Sequence, residues 1–293
     1  MNTLRHNQCS RRDFLTQGAI GTGTVLCGGL PVTAGKKKTP DPYGGFKMGI
    51  QSYSLRGYRN LNTALRHTRE LGLHYWESYP GHIPISTRAA DIKRVNAALS
   101  NADVKLIAYG VVGFNGNEKQ ARKAFDFAKT MGIVSLSANP KKDNKTFDLL
   151  DKLVDEYGIA IAIHNHGPGA LYDKIDDVVR MVKNRHPKIG ACVDTGHFLR
   201  SDEDPVEAIG RLGKRVFGVH VKDVKTIVKD GKRTKHFTVV GKGDLDVVGM
   251  LRVLKKLNYD YALSLEYEEH PKDPLPEIAA CLKAVRAAVR KLG

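Results

Sequence analysis

The sequence predicts an α/β fold: a single closed (β/α)8 TIM barrel behind a cleavable amino-terminal leader. Three observations carry that prediction. From Lys47 onward, short apolar runs rich in β-branched residues alternate eight times with stretches of helical periodicity. Eight such units in about 250 residues is the size of a closed parallel barrel. An open doubly wound sheet would want a glycine fingerprint behind its first strand, and Gln51-Ser52-Tyr53-Ser54-Leu55 supplies none.

The leader is expected over 1–34, with a linker over 35–46. Ser10-Arg11-Arg12-Asp13-Phe14-Leu15 precedes a weakly apolar run, 19–30, that contains four glycines and is too short to span a bilayer. The arrangement resembles a twin-arginine export signal cut after Val32-Thr33-Ala34. That resemblance implies a passing partnership with the twin-arginine translocase and a periplasmic or otherwise exported protein without stable membrane insertion. It also implies a cofactor inserted before export, since that route carries folded proteins. The net charge of +16 would ordinarily suggest a polyanionic partner. An exported basic protein most simply meets anionic envelope surfaces, so no nucleic-acid partner is expected. The four cysteines, at 9, 27, 192 and 281, form no CxxC pair, which excludes a disulfide framework and a cysteine-held zinc.

The barrel is expected over 47–293. Its strands read as 48–53, 74–78, 105–109, 134–138, 160–164, 189–193, 216–221 and 262–266. The helices read as 61–71, 89–100, 118–131, 146–157, 174–184, 205–213, 247–257 and 275–292. The segment near 224–241, with Asp230-Gly231 at its centre, reads as a β-hairpin inserted after strand seven. Its lysines and arginines read as a solvated face.

Chemistry in such a barrel sits where strands end. Strand two ends in Glu77, strand five in His164-Asn165-His166, strand six in Asp194, strand seven in His220-Val221-Lys222-Asp223 and strand eight in Glu266-Tyr267-Glu268. Ionisable groups behind apolar runs are costly unless they share a partner. A divalent cation is the economical one: His164, Asp194, His220 and Glu266 offer two imidazoles and two carboxylates. That set suits manganese, zinc, iron or cobalt rather than calcium.

Four blocks now carry a family likeness. In order they are Asp194-Thr195-Gly196-His197, His220-Val221-Lys222-Asp223, Val240-Gly241-Lys242-Gly243-Asp244-Leu245-Asp246 and Leu263-Ser264-Leu265-Glu266. They resemble the signature of the xylose-isomerase-like barrels, which include sugar phosphate isomerases and epimerases, ketose 3-epimerases and inosose dehydratases. The likeness runs from Ile50 to the carboxyl end. It implies one divalent ion, manganese before cobalt, zinc or iron, held in the family by Glu, Asp, His and Glu. Asp194, His220 and Glu266 match the last three of these ligands. Strand five departs: His164 stands where the 3-epimerases place a catalytic glutamate, in a His-Asn-His run closer to the inosose-dehydratase-like members.

The activity expected is therefore that of a metal-dependent sugar isomerase or epimerase working through an enediolate. The alternative is a dehydratase or lyase acting on a keto-sugar, inosose or 3-keto-glycoside at the same site. Glu266 is the candidate base on one face, with His164 or Lys222 on the other. Alternation puts Lys222 on the face of His220, where its ammonium could hold an oxyanion. Glu77 is a candidate for substrate contact or proton transfer, or else for a salt bridge to a neighbouring strand end. His82, His166 and His197 are candidates for binding sugar hydroxyls. Trp76, next to Glu77, should point away from it into the interface between barrel and helices. Gly241-x-Gly243 resembles a phosphate loop only faintly, and Asp246 reads as the cap of the following helix. A phosphodiesterase of the endonuclease IV type shares the barrel but needs early-strand metal ligands, and strands one, three and four end without them. A small sugar is the expected partner, alongside further copies of the chain in a homo-oligomer.

Overall fold

The computed structural model describes residues 41–293; the leader expected at 1–34 and half of the linker lie outside the described residues. Residues Asp41–Gly293 form one compact unit. Eight parallel strands close into a barrel: β1 (Lys47–Gln51), β2 (Tyr75–Ser78), β3 (Lys105–Phe114), β4 (Ser135–Pro140), β5 (Ala160–His164), β6 (Ile189–Asp194), β7 (Val216–Val221) and β10 (Ala262–Leu265). They neighbour one another in chain order, and β10 pairs with β1 to close the ring. Helices α1 (Leu61–Glu70), α2 (Ala89–Asn101), α3 (Glu118–Met131), α4 (Asn144–Tyr157), α5 (Ile175–Val182), α7 (Pro205–Leu212), α8 (Val247–Lys256) and α9 (Leu275–Val289) answer the eight helical periods of the sequence. No helix among the described residues is long and apolar enough to cross a membrane.

Local signals set the helix ends. The side chains of Asn60, Asn117, Asp143, Asp204 and Asp246 each accept a backbone N–H in the first turn of the helix that follows. Gly132 and Gly158 stop α3 and α4 in the left-handed conformation, at φ of 70° and 69°.

Three features depart from the expected boundaries. The short helix α6 (Thr195–Arg200) follows β6 without a loop, because the Asp194 side chain caps it by accepting the His197 N–H at 2.8 Å. Six residues carry too little periodicity to be read as a helix beforehand. Strand β3 runs on to Phe114 across an irregularity between Tyr109 and Val112, where Gly110 and Gly113 look like a strand end. Helix α9 stops at Val289, and Arg290–Leu292 form a 3-10 turn.

The insertion is a two-stranded antiparallel hairpin, β8 (Asp223–Lys229) and β9 (Lys232–Thr238). Asp230 and Gly231 both take positive φ, 51° and 72°, as a two-residue hairpin turn requires. Hairpin and barrel meet at Asp223. Its buried carboxylate accepts the N–H groups of Val224 (2.8 Å), Gly241 (2.9 Å), Gly243 (3.0 Å) and Leu245 (3.0 Å). A β-carbon at Gly243 would lie 2.2 Å from Asp223 Oδ1. The glycine loop thus wraps an internal carboxylate, which accounts for its faint likeness to a phosphate loop.

Candidate active site

Strand register assembles the site. His220 stands opposite Asp194 on one side and Ser264 on the other, at the carboxyl end of the barrel. His164 ends β5, Asp194 ends β6, and Glu266 follows β10. One ligand atom from each of His164, Asp194, His220 and Glu266 lies within 4.8 Å of the others, and all four residues are buried. His164 Nε2 is 3.4 Å from Asp194 Oδ2, His220 Nδ1 is 3.6 Å from the same oxygen, and His220 Nδ1 is 2.9 Å from Glu266 Oε2.

These atoms crowd together without satisfying one another. Asp194 Oδ2, His220 Nδ1 and Glu266 Oε2 are buried and make no hydrogen bond of proper geometry. Such orphaned acceptors are costly. A divalent cation among two imidazoles and two carboxylates would answer all of them, and the donor set is of the kind that holds manganese, iron, cobalt or zinc.

Asp194 is held from three directions. Its backbone N–H donates to Asn165 Oδ1 (2.8 Å), and Asn165 Nδ2 donates to its carbonyl (2.9 Å), locking β5 to β6. Its Oδ1 caps α6, which leaves Oδ2 for the cluster. Burial by itself would raise the Asp194 pKa, but the Lys222 ammonium and hydrogen bonds from His164 and His220 pull it well below the usual carboxylate range. Glu266 is likewise pushed up by burial and drawn down further by Lys222 and His220, to about 2.

Lys222 reaches inward, as alternation from His220 requires. Its Nζ is 2.9 Å from Asp194 Oδ2 and 3.1 Å from Glu266 Oε2, and it contacts Glu268 Oε1. Burial favours the neutral amine, yet the three carboxylates outweigh it and raise the pKa, so the group is an ammonium. Thr195 fixes the backbone here: its hydroxyl donates to the Lys222 carbonyl (2.6 Å) and accepts the Lys222 N–H (2.9 Å).

The other candidates fall at different depths. Glu77 lies fully buried beneath His220, with Oε1 3.0 Å from His220 Nε2; Ser137 and Ser264 hydroxyls donate to its two oxygens. Its side chain reaches across the barrel interior to β7, β4 and β10 rather than to an adjacent strand. His197 is buried, its ring 4.0 Å from that of the exposed His166. Burial holds the His197 pKa down to about 2, so the ring is neutral. Arg200 Nη1 lies 3.2 Å from His197 Nδ1 and Lys222 Nζ lies 3.3 Å from its Nε2, so a cationic group flanks each ring nitrogen. His82 is not brought to the cluster. It packs edge-on against Trp76 and Tyr79, with Nε2 donating to the Tyr58 carbonyl at 2.9 Å. Trp76 is fully buried in the apolar core, on the opposite side of β2 from Glu77.

Several contributors were not singled out from the sequence. Glu268, Asn165, Gly196, Arg200 and Phe237 belong to the site, Phe237 lying 5.3 Å beneath the Lys222 ammonium and edge-on to His197. Glu268 carried a signal, since it stands two residues beyond Glu266 and so on the same side of the chain. Phe237 carried none, because a hairpin's inner face cannot be told from its outer one without knowing where the hairpin folds.

The chain is similar to known proteins of one barrel family. The family described as xylose isomerase-like TIM barrel matches residues 65–285. The rhizopine catabolism protein MocC of Rhizobium meliloti is 31% identical over 143 residues, 45% of this chain and 43% of that protein. An inosose dehydratase of Clostridium beijerinckii is 29% identical over 135 residues, 42% of this chain and 45% of that enzyme. The chain thus spans less than half the length of these curated relatives. Among solved structures, a D-tagatose 3-epimerase-like protein superposes with a TM-score of 0.63 at 19% identity, over 84% of this chain and 98% of that one, which shows a common fold.

Proposed function

Because the chain belongs to the xylose isomerase-like TIM barrel family, whose members include sugar isomerases, epimerases and inosose dehydratases, we propose that it is a metal-dependent dehydratase or lyase of keto-sugars. It removes the proton beside a sugar carbonyl and then expels a β-oxygen substituent. A divalent cation held by His164, Asp194, His220 and Glu266 supplies polarisation of the carbonyl and its neighbouring hydroxyl.

The chain's own residues provide the rest. Glu266 is drawn well below the usual carboxylate range, so it is ionised and able to accept the proton. Lys222 is in the wrong state for a base, and its ammonium instead donates hydrogen bonds to the oxygen on which charge develops. His197, a neutral ring between Arg200 and Lys222, lines the site beside the Lys222 ammonium. When the enediolate collapses, the β carbon–oxygen bond breaks. The proton on Glu266 passes to the departing oxygen, which leaves as water or an alcohol.

The observation that carries this reading is the position of His164, whose Nε2 stands in the donor set 3.4 Å from Asp194 Oδ2. An imidazole nitrogen committed to a cation has no lone pair left to take a proton, whereas a carboxylate ligand keeps a second oxygen. Epimerisation needs a base on each face of one carbon; Glu266 serves one face, and the other carboxylate of the site, Glu268, is paired with the Lys222 ammonium. The inosose dehydratase name of the relatives points the same way. Isomerisation by Glu266 alone, returning the proton on the same face to the neighbouring carbon, is the second reading, favoured by the sugar isomerases of the family.

The test is incubation of the Mn2+-loaded protein with ketoses, inososes and 3-keto-glycosides, followed by mass spectrometry. An unsaturated product short of water or of the aglycone supports the reading. Products that are only isomers or epimers of the substrate contradict it.

A further inference from the structure

We propose that Glu77 is a positioning residue that keeps the proton of His220 on Nε2, so that Nδ1 is the nitrogen turned toward a divalent cation. The inference rests on the metal-dependent reading and adds a role to that site. A neutral imidazole has one N–H and one lone pair, and whichever nitrogen faces an obligate acceptor keeps the proton. An ionised carboxylate is such an acceptor.

Glu77 is placed for this and for little else. It has no solvent exposure, and no lysine or arginine forms an ion pair with it among the described residues. Its Oε1 receives the Ser137 hydroxyl at 2.5 Å and stands 3.0 Å from His220 Nε2, while its Oε2 receives the Ser264 hydroxyl at 2.7 Å. Each of its oxygens accepts a serine hydroxyl, the arrangement of an acceptor-only carboxylate. The approach to Nε2 is bent rather than in line, so charge attraction over a short distance holds the pair. The same ring presents Nδ1 on its other side to Glu266 Oε2 and Asp194 Oδ2. His220 therefore stands between two sets of acids with different tasks. A carboxylate at one ring nitrogen and a cation at the other would fix the ring's tautomer and strengthen the ligand.

The buried trio Glu77, Cys192 and His220 sharpens the test, because a cation held there would need Nε2 for itself. The first measurement needs no substitution. Long-range 1H–15N correlation on Zn2+-loaded wild-type protein should show His220 protonated at Nε2 and not at Nδ1. The second is Mn2+ affinity, followed by the loss of the free-ion electron spin resonance signal. Glu77→Gln should bind roughly 10–100-fold more weakly. Ser264→Ala, which removes one of the hydrogen bonds to Glu77 but leaves its oxygen facing His220, should weaken binding by less than Glu77→Gln. A proton on Nδ1, or Glu77→Gln binding as tightly as wild type, overturns the inference while leaving the metal-dependent reading intact. A second equivalent of metal with thiolate character, lost on Cys192→Ala, overturns it too. Wild-type protein that binds no Mn2+ or Zn2+ removes both.

Discussion

The stem of Lys222 runs through the space that a side chain at Gly196 would need: a β-carbon there would lie 2.6 Å from Lys222 Cγ and 2.8 Å from Cδ. The glycine between Thr195 and His197 thus exists for the lysine that reaches past it to Asp194, Glu266 and Glu268. Gly196→Ala should displace the ammonium and reduce turnover by roughly a hundredfold, the scale of an ångström-sized misplacement. Mn2+ affinity should persist, because no proposed ligand moves with Lys222. Steady-state kinetics beside a metal titration decide it, and loss of metal with retained turnover would contradict the assignment.

Metal binding should release a proton. His220 is raised well above its ordinary value; burial opposes this, but the carboxylates of Glu77 and Glu266 are among the charges that outweigh it. The metal-free ring is therefore charged at neutral pH, and Nδ1 must lose its proton to become a ligand. Affinity should rise with pH up to the raised His220 value and then level off. Calorimetry in buffers of different ionisation enthalpy should find about one proton released per ion near pH 7. Finding none would mean that Nδ1 is not a ligand.

The same shifts set a stability window for the metal-free protein. Glu266, lowered to about 2, contributes stability that is complete above its ordinary range and is lost as pH falls toward 2. His220, raised, contributes stability that is present at acid and neutral pH and is lost as pH climbs through its elevated value. Chelator-treated protein should therefore be most stable in between, and added Mn2+ should extend the plateau to higher pH. Denaturant midpoints across the pH range measure this.

Asp223 predicts a purely structural effect. Its carboxylate gathers four backbone N–H groups, so Asp223→Ala should cost about 3–5 kcal/mol and loosen the hairpin. Protease cleavage near 224–241 in the folded variant, absent from wild type, is the expected sign.

The leader yields a prediction of its own. We propose that residues 1–34 direct export through the twin-arginine route. Arg11→Lys with Arg12→Lys should leave unprocessed protein in the cytoplasm, and amino-terminal sequencing of the exported wild type should begin near Gly35. Unchanged export of the double variant would contradict the proposal.

The barrel was readable in the sequence because each strand and helix carries its own period, and caps such as Asn117 and Asp246 mark where the period changes. His164, Asp194, His220, Lys222 and Glu266 were readable because ionisable residues directly behind apolar runs have no cheap place in a core. What stayed hidden depends on distance between segments. That Glu77 sits under His220 rather than at the mouth follows from the stagger of β2 against β7, which neither strand records alone. That His82 turns to Tyr58 follows from a loop path without periodicity. Helix α6 was hidden because six residues carry too little periodicity and its cap, Asp194, stands at the end of a strand.

His164→Glu would restore a carboxylate where the 3-epimerases carry one. It should retain the metal and shift products toward epimers, since a second oxygen base then faces Glu266 across the substrate. Product analysis of this variant against wild type checks the single-base argument, and an unchanged product ratio would weigh against it.

In the proposed reaction Glu266 takes the proton beside the carbonyl before any bond to oxygen breaks. The most direct test is a substrate carrying deuterium at that carbon, turned over by wild type and by Glu266→Gln, with the label followed by mass spectrometry. The account predicts a product that has lost the deuterium, a slowed wild-type reaction, and a Glu266→Gln variant slower by roughly a hundredfold or more that still binds metal. A cleaved product that keeps its deuterium at that carbon would contradict the account and make the chemistry hydrolysis.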